Sequence, residues 1–367
     1  MKIKLAIVGI EGLPNRYGGF ETLASFLVKY LGDDFKMTVY CSSKDIVSNS
    51  ASYETAHLKY IPFSSHGWQG ILYDILSLRD ALKSNDMVLF LGFGAGIYFP
   101  FITKKDRAKL ILNFGGLDWQ RSKWNFLTRK LIQFFEALMV KNIKWVIADN
   151  KKIAQYIQKR YQKIPVEITY GGDQVNAIEL STEIKSRYPF LNQAYACAIC
   201  RIQPDNNVEM IFKAFSKTKY PLVMIGNWDS SVFGKQCRAR YGNYKHIHLL
   251  DAIYDQSLLN MIRSNSSIYI HGHSAGGTNP SLLEAMYLGL NIFAYQSGYN
   301  EITTDHLAIY FKTDEELTAL VRNFGEQDNQ ERRNMMQSYA KQHYTWRKVA
   351  ASYKELFLNV YHQRNGA

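Results

Sequence analysis

The sequence predicts an α/β protein of two doubly wound domains facing one another across a cleft, and three observations predict it. Short apolar strands alternate with amphipathic helices along most of the chain, the pattern of parallel sheets covered on both faces. The alternation runs twice, on either side of an irregular stretch at 165–189 that holds Gly171-Gly172. The length of 367 residues suits two domains of roughly 150 residues each.

In the first part, apolar runs predict strands at 3–8, 36–41, 58–61, 87–91, 109–113 and 144–148, with helical periodicity at 20–31, 70–83, 122–140 and 152–161. The second part predicts strands at 195–200, 222–225, 246–249, 267–270 and 291–294, and helices at 206–216, 231–241, 256–262, 281–288 and 314–323. The tail at 328–362 reads as one or two helices broken near Tyr344-Thr345. The expected division is a domain at 1–170, a second at 171–344, and a C-terminal helix at 345–367 that packs back on the first. No repeat of solenoid length and no low-complexity tract appears.

Composition narrows the class. Hydrophobic residues make up 47% and aromatics 14%, with 25 Tyr and 20 Phe, which permits two packed cores and a sugar-facing aromatic surface. The chain opens directly into a strand, so no secretory signal is expected. The longest uncharged run, 87–103, is interrupted by Gly92, Gly94, Gly96 and Pro100 and is too short to span a bilayer. Cys197 and Cys200 have CxxC spacing, but they lie in an apolar strand without a second pair, so buried thiols are expected rather than a zinc or redox site. His246/His248 and His271/His273 have strand spacing, and no metal is expected.

The net charge of +12 is concentrated: residues 104–163 carry 15 Lys and Arg against 4 Asp and Glu. Within that window Leu127, Leu131, Phe134, Phe135 and Leu138 share one side of a helix flanked by basic residues. Such a helix suits an anionic membrane surface; it equally suits a core helix with a solvated basic back. Nucleic acid is not expected as a partner, because no RNA- or DNA-binding motif accompanies the charge.

Ligands of doubly wound sheets bind beyond the carboxyl ends of the strands, and four polar stretches follow strands: "GIEGLPNRYGGFET" from Gly9, "GGLDWQRSKW" from Gly115, "CRIQPDNNVE" from Cys200 and "GGTNPSLLEAMYLGLNIFAY" from Gly276. In the last, Gly276-Gly277 gives a turn whose backbone a ligand can approach. Asn279 is a good N-cap and Pro280 suits the first helical position. A helix starting there offers N–H groups and a positive dipole end to a phosphate. Glu284, one turn in among apolar neighbours, either meets solvent or accepts hydrogen bonds from a polar ligand.

Those four blocks, in that order, resemble retaining glycosyltransferases of family four, and within it the bacterial rhamnosyltransferase subgroup; the resemblance covers roughly 2–310. It implies a GT-B type α/β fold of two Rossmann-like domains facing across a cleft, with the nucleotide sugar on the second. Glu284 matches the second glutamate of the family's EX7E pattern, which implies a contact to the donor ribose, while Gly276 stands where the first glutamate would be. The resemblance implies that backbone amides at Gly277, Thr278 and Asn279 hold the donor diphosphate, with Ser281 beside them. Arg201 matches the arginine of the diphosphate clamp; Asn206 stands where the family has its lysine partner.

The opening loop then faces the same ligand from the first domain, with Gly18 and Gly19 at a helix start and Glu11, Arg16 and Glu21 as polar groups on the acceptor side. Glu21 also suits plain stabilisation of the helix dipole. Asp118 and Arg121 are expected to contact acceptor or transferred sugar, with Asp118, Arg201 and Glu284 as the catalytic set. The implied activity is transfer of rhamnose from dTDP-rhamnose to a lipid-linked saccharide in O-antigen or capsule synthesis. It is retaining, needs no cofactor or metal, and proceeds in the cytoplasm, peripheral at the inner face of the membrane. The alternatives are a UDP-hexose donor on the same fold, a sugar-nucleotide epimerase, and a non-catalytic sugar-nucleotide-binding protein.

Overall fold

The computed structural model describes residues 2–14, 18–46, 50–121, 124–327 and 329–366. The chain forms two compact units: Met1–Trp119, Trp124–Tyr170 and Trp346–Ala367 make the first, and Gln120–Lys123 with Gly171–Thr345 the second.

The first unit is built on eight strands: β1 (Ile3–Val8), β2 (Phe35–Ser42), β3 (Ser52–Tyr53), β4 (Ala56–Ile61), β5 (Met87–Leu91), β6 (Leu110–Asn113), β7 (Trp145–Ala148) and β8 (Val166–Glu167). Their order in the sheet is β3-β4-β2-β1-β5-β6-β7-β8. Every pairing is parallel except β3 with β4. Leu5 is paired with Met37 on one side and Met87 on the other. Leu5, Ala6, Ile7 and Val8 are all buried, as expected of a central strand with both faces covered.

The helices of this unit are α1 (Gly19–Leu31), α2 (Gly67–Ser84), α3 (Lys104–Arg107), α4 (Phe126–Asn142) and α5 (Lys151–Tyr161). The C-terminal helix, α15 (Trp346–Asn365), belongs here too. It stacks Trp346 on Phe26 of α1 with ring centroids 4.3 Å apart, and its Tyr353 hydroxyl accepts from Asn113 Nδ2 at 2.7 Å.

The second unit carries β9 (Ala196–Ile199), β10 (Leu222–Ile225), β11 (Ile247–Leu250), β12 (Ile268–His271), β13 (Ile292–Tyr295) and β14 (Ile309–Phe311), all parallel, in the order β11-β10-β9-β12-β13-β14. Its helices are α6 (Thr182–Arg187), α7 (Val208–Ser216), α8 (Val232–Tyr241), α9 (Gln256–Ser264), α10 (Pro280–Tyr287), α11 (Tyr299–Thr303), α12 (Asp314–Arg322), α13 (Phe324–Gln327) and α14 (Gln330–His343). Strand alternation splits the core in two. Ala196, Ala198, Leu222 and Met224 pack in one cluster with Phe212 and Leu317, and Cys197, Val223 and Ile225 in another with Leu259 and Ile262.

In both sheets the chain starts at an inner strand, builds outward one way and then crosses back. The switch falls between β1 and β5 in the first and between β9 and β12 in the second. Those are the two places where loops leave the strand ends in opposite directions and open a crevice.

Candidate functional site

In the second unit, the loop after β9 and the loop after β12 are laced together. Ser274 donates to the Asp205 carbonyl twice, from its backbone N–H at 3.0 Å and its hydroxyl at 2.7 Å. Asn207 Nδ2 donates to the Gly272 carbonyl at 2.8 Å. Gly272 is required by this approach, because a Cβ there would lie 2.3 Å from the Asn206 carbonyl oxygen. Asn300 Nδ2, at the start of α11, donates to the carbonyls of His273 and Tyr295 and holds the third neighbouring loop. The segment carrying Arg201 is thereby fixed against the segment that leads into α10.

The start of α10 refines the anion-site expectation. Asn279 is the N-cap, its Oδ1 accepting from the Ser281 N–H at 3.0 Å and from the Ser281 hydroxyl at 2.8 Å. Pro280 has no N–H, and those of Leu282 and Leu283 already donate to the Asn279 carbonyl. The helix therefore brings its dipole to a ligand but not its own first amides, and Ser281 is occupied by the cap. Gly276, at φ +126°, opens the turn, with no atom near where a Cβ would project.

Arg201 is exposed, and its guanidinium forms no hydrogen bond or ion pair with any described residue. Its positive charge and that of Arg121 both depress the pKa of His273, whose largest cause is burial. The ring of His273 stacks face to face on that of His271 at 4.3 Å, and burial pushes His271 down to about 3, so both imidazoles are neutral. Arg121 approaches Asp205 at 3.4 Å, and the second carboxylate oxygen of Asp205, Oδ1, is buried without a hydrogen-bond partner among the described residues.

Two donor-side residues are engaged within the protein itself. Asn206 does not present a side chain as a lysine there would: it is buried and donates to the Arg201 carbonyl at 2.6 Å, bracing the loop from within. Glu284 is partly buried, its side chain 16% exposed, and the protein already engages both carboxylate oxygens. Its Oε1 accepts from Gln174 Nε2 at 2.6 Å and its Oε2 is ion-paired with Arg263, which is 1% exposed. Arg263 is held in turn by Asn260 Oδ1 at 2.8 Å. Sequence reasoning missed Arg263 and Gln174 because they lie 21 and 110 residues away in the chain.

In the first unit the opening loop is braced at several points. The buried Tyr73 hydroxyl donates to the carbonyls of Ile10 and Tyr40, and the Ser42 N–H to that of Glu11. Gly9, at φ +92°, runs so close to β5 that a Cβ would fall 2.3 Å from the Leu91 carbonyl oxygen. Gly18 caps α1, whose first residue is Gly19, and the Glu21 carboxylate folds back over it to accept the Glu11 N–H at 3.0 Å. Glu21 thus ties the loop to the helix. The Glu11 carboxylate faces His66 at 3.5 Å and raises its pKa. Arg16 lies outside the described residues. Asp118 begins a single 3₁₀ turn, its N–H donating to the Gly116 carbonyl.

A carboxyl group that the sequence reading passed over sits at the same end of this sheet. Asp74 of α2 occupies the space left by Gly94 beyond β5, 1.8 Å from where a Cβ would be. Desolvation raises its pKa to about 8, and it has no hydrogen-bond or ion-pair partner among the described residues. All four cysteines are free and buried, and burial raises Cys197 and Cys200 to about 12. Among the described residues no group of three or more His, Cys, Asp or Glu is arranged to hold a metal ion.

Comparison with known proteins follows the same division. Residues 181–343 match the family model described as "Glycosyl transferases group 1". Sucrose-phosphate synthase from Thermosynechococcus elongatus superposes with a TM-score of 0.77, covering 99% of this chain and 100% of that one at 11% identity. The protein is a glycosyltransferase of the GT-B fold. The N-terminal part of this glycosyltransferase, residues 2–173, matches "Domain of unknown function (DUF1972)". Anabaena HepE in complex with UDP-glucose is similar at a TM-score of 0.70 and 13% identity, covering 97% and 100% of the two chains. The catalytic domain of Arabidopsis thaliana starch synthase IV, bound to ADP and acarbose, has a TM-score of 0.69 at 13% identity, covering 98% and 99%. At these identities the likeness is one of fold. The glycosyltransferase matches no curated protein.

Proposed function

We propose that the enzyme transfers a sugar from a nucleoside diphosphate donor to a hydroxyl of a lipid-linked saccharide, with dTDP-rhamnose as the donor, in O-antigen or capsule synthesis at the inner face of the cell membrane. The observation that carries the reading is Arg201: an exposed guanidinium without a partner among the described residues, on a loop bonded to the turn that precedes α10. A forked cation beside backbone amides and a positive helix end is what a diphosphate requires.

In this reading the bond from the anomeric carbon to the diphosphate oxygen breaks while a bond to the acceptor oxygen forms on the same face. The acceptor proton passes to the departing phosphate oxygen. Negative charge grows on the diphosphate in the transition state, where Arg201 and the amides at Gly277, Thr278 and Asn279 stabilise it. Glu284, fixed by Arg263 and Gln174, retains lone pairs for the ribose hydroxyls. Asp118 and Asp74 are the acceptor-side carboxyl groups of the first unit. Gly276 supplies no side chain to the donor sugar, which suits a 6-deoxy sugar that offers fewer hydroxyls. The UDP-glucose complex of HepE favours a second reading, a UDP-hexose donor in the same site.

A thermal-shift panel of nucleotide sugars separates the readings, because a bound donor raises stability by mass action. dTDP-rhamnose is expected to give the largest shift, and radiolabelled donor with membrane lipid extract should yield a labelled lipid product. A shift with UDP-hexoses alone favours the second reading. Arg201→Ala is expected to lower kcat/KM by about 10²–10³; unchanged donor affinity and rate in that variant would remove the diphosphate assignment.

A further inference from the structure

The apolar stripe of α4 does not face the core as a whole. Phe135, Met139 and Val140 are buried, whereas Leu127, Leu131 and Phe134, at i, i+4 and i+7, are exposed along one line of the helix, Leu127 by 77%. Phe126 is exposed beside them. A second exposed apolar row comes from the 3₁₀ turn Gly96–Phe101, whose Phe99 is buried while Ile97 and Phe101 project, Phe101 by 75%. The two segments meet without a side chain between them, since a Cβ on Gly96 would lie 2.4 Å from the Cβ of Phe135. Six of the thirteen large apolar side chains exposed among the described residues fall in these two segments.

The same segments carry the basic excess. Lys104 and Lys105 are exposed just beyond the turn, and Lys130 is exposed in the stripe with its ammonium 5.5 Å from the ring of Phe126. At the C-terminal end of α4, where Asn142 lines it, is a cavity of about 320 Å³ bordered by Lys104, Arg107, Lys144 and Arg364. No helix among the described residues is long and apolar enough to cross a membrane.

We propose that this strip docks the enzyme on an anionic phospholipid bilayer, Phe101, Phe126, Leu127, Leu131 and Phe134 entering the headgroup region while the flanking lysines meet lipid phosphates. The composition selects the partner: lysine is depleted from protein–protein interfaces, whereas aromatic and leucine side chains bordered by lysine are the composition of an interfacial helix. Lysine stems also reach outward from a buried apolar face, so charge and apolar insertion act together. The proposal deepens the proposed function and rests on it only for the use of docking, delivery of a lipid-linked acceptor.

The test is co-sedimentation of the full chain with phosphatidylcholine vesicles and with vesicles containing phosphatidylglycerol, without donor or acceptor. Binding is expected to the anionic vesicles and to weaken in high salt. The triple variant Phe101→Ser/Phe126→Ser/Leu127→Ser, altered only at exposed positions, should lose at least about tenfold in vesicle affinity with an unchanged circular dichroism spectrum. Lys104→Glu/Lys105→Glu/Lys130→Glu should lose the salt dependence. Equal binding to neutral vesicles, no binding to either, or a triple variant that binds like the unaltered chain would overturn the proposal. So would a dimer that the triple variant converts to monomer, since the strip would then be a contact between copies. Vesicle binding that persists where no nucleotide sugar shifts stability would retain the docking face and remove the donor assignment.

Discussion

Glu284, proposed to contact the donor ribose, also holds the fold through its ion pair with Arg263. Removing it leaves Arg263, almost wholly buried, as an uncompensated charge, which costs about 3–5 kcal/mol. Glu284→Ala should therefore unfold at markedly lower urea, and its loss of nucleotide binding must be read below that transition; equal stability would show that Asn260 and solvent suffice for Arg263. Asp74 makes a second residue-scale prediction, in pH. Burial raises its folded pKa to about 8 from the ordinary 3.8, so the native state keeps a proton that the unfolded chain releases. Stability from this group is full at acid pH and is lost as pH rises towards and through the folded value. Asp74→Asn should be neutral near pH ~4 and raise Tm by several degrees near pH ~8.5. A Tm difference independent of pH would show that the carboxyl group is hydrated.

Elements show where the sequence was readable and where it was not. Strands such as β1 and β5 were legible to the residue because both sheet faces are covered and the run is continuously apolar. β3, β8 and β14 are two or three residues long and carry no period; only pairing with a neighbour makes them strands. The short helices α3, α6 and α11 escaped for the same reason. In the candidate site, glycine pairs and caps announced themselves locally and Arg201 came from the family resemblance, whereas Arg263, Gln174 and Asp74 are defined by contacts distant in sequence. α4 combined both: its period was visible, but which arc faced the core depended on Gly96 meeting Phe135. α15 supplies an element-scale prediction. Trp346 is buried against Phe26 and edge-on to Tyr170, 6.3 Å away, so Trp346→Ala should destabilise the first unit by about 3–5 kcal/mol, measured by near-ultraviolet circular dichroism during urea unfolding. A loss below about 1 kcal/mol would mean that α15 is held elsewhere along its length.

At the scale of the molecule, each unit has its own sheet and core, and each carries buried titratable groups of opposite sense. In the second unit His271 and His273 are neutral in the fold and take up protons only on unfolding, because burial holds both below the ordinary 6.5. Their contribution is present above about pH 6.5 and is lost as pH falls towards the folded values, with a slope of up to about 1.4 kcal/mol per pH unit for each group. In the first unit Asp74 runs the other way, gaining stability as pH falls from about 8 towards 4. Calorimetry at pH ~5 and ~8 should therefore show two transitions that move in opposite directions once other carboxylates are allowed for by variants. His271→Phe should flatten the acid loss of one, and Asp74→Asn the alkaline loss of the other. A nucleoside diphosphate should raise only the transition that His271→Phe alters, since Arg201 and the turn at Gly276 belong to that unit. A single transition, or a ligand shift attached to the Asp74-sensitive transition, would contradict the assignment of donor binding to the second unit.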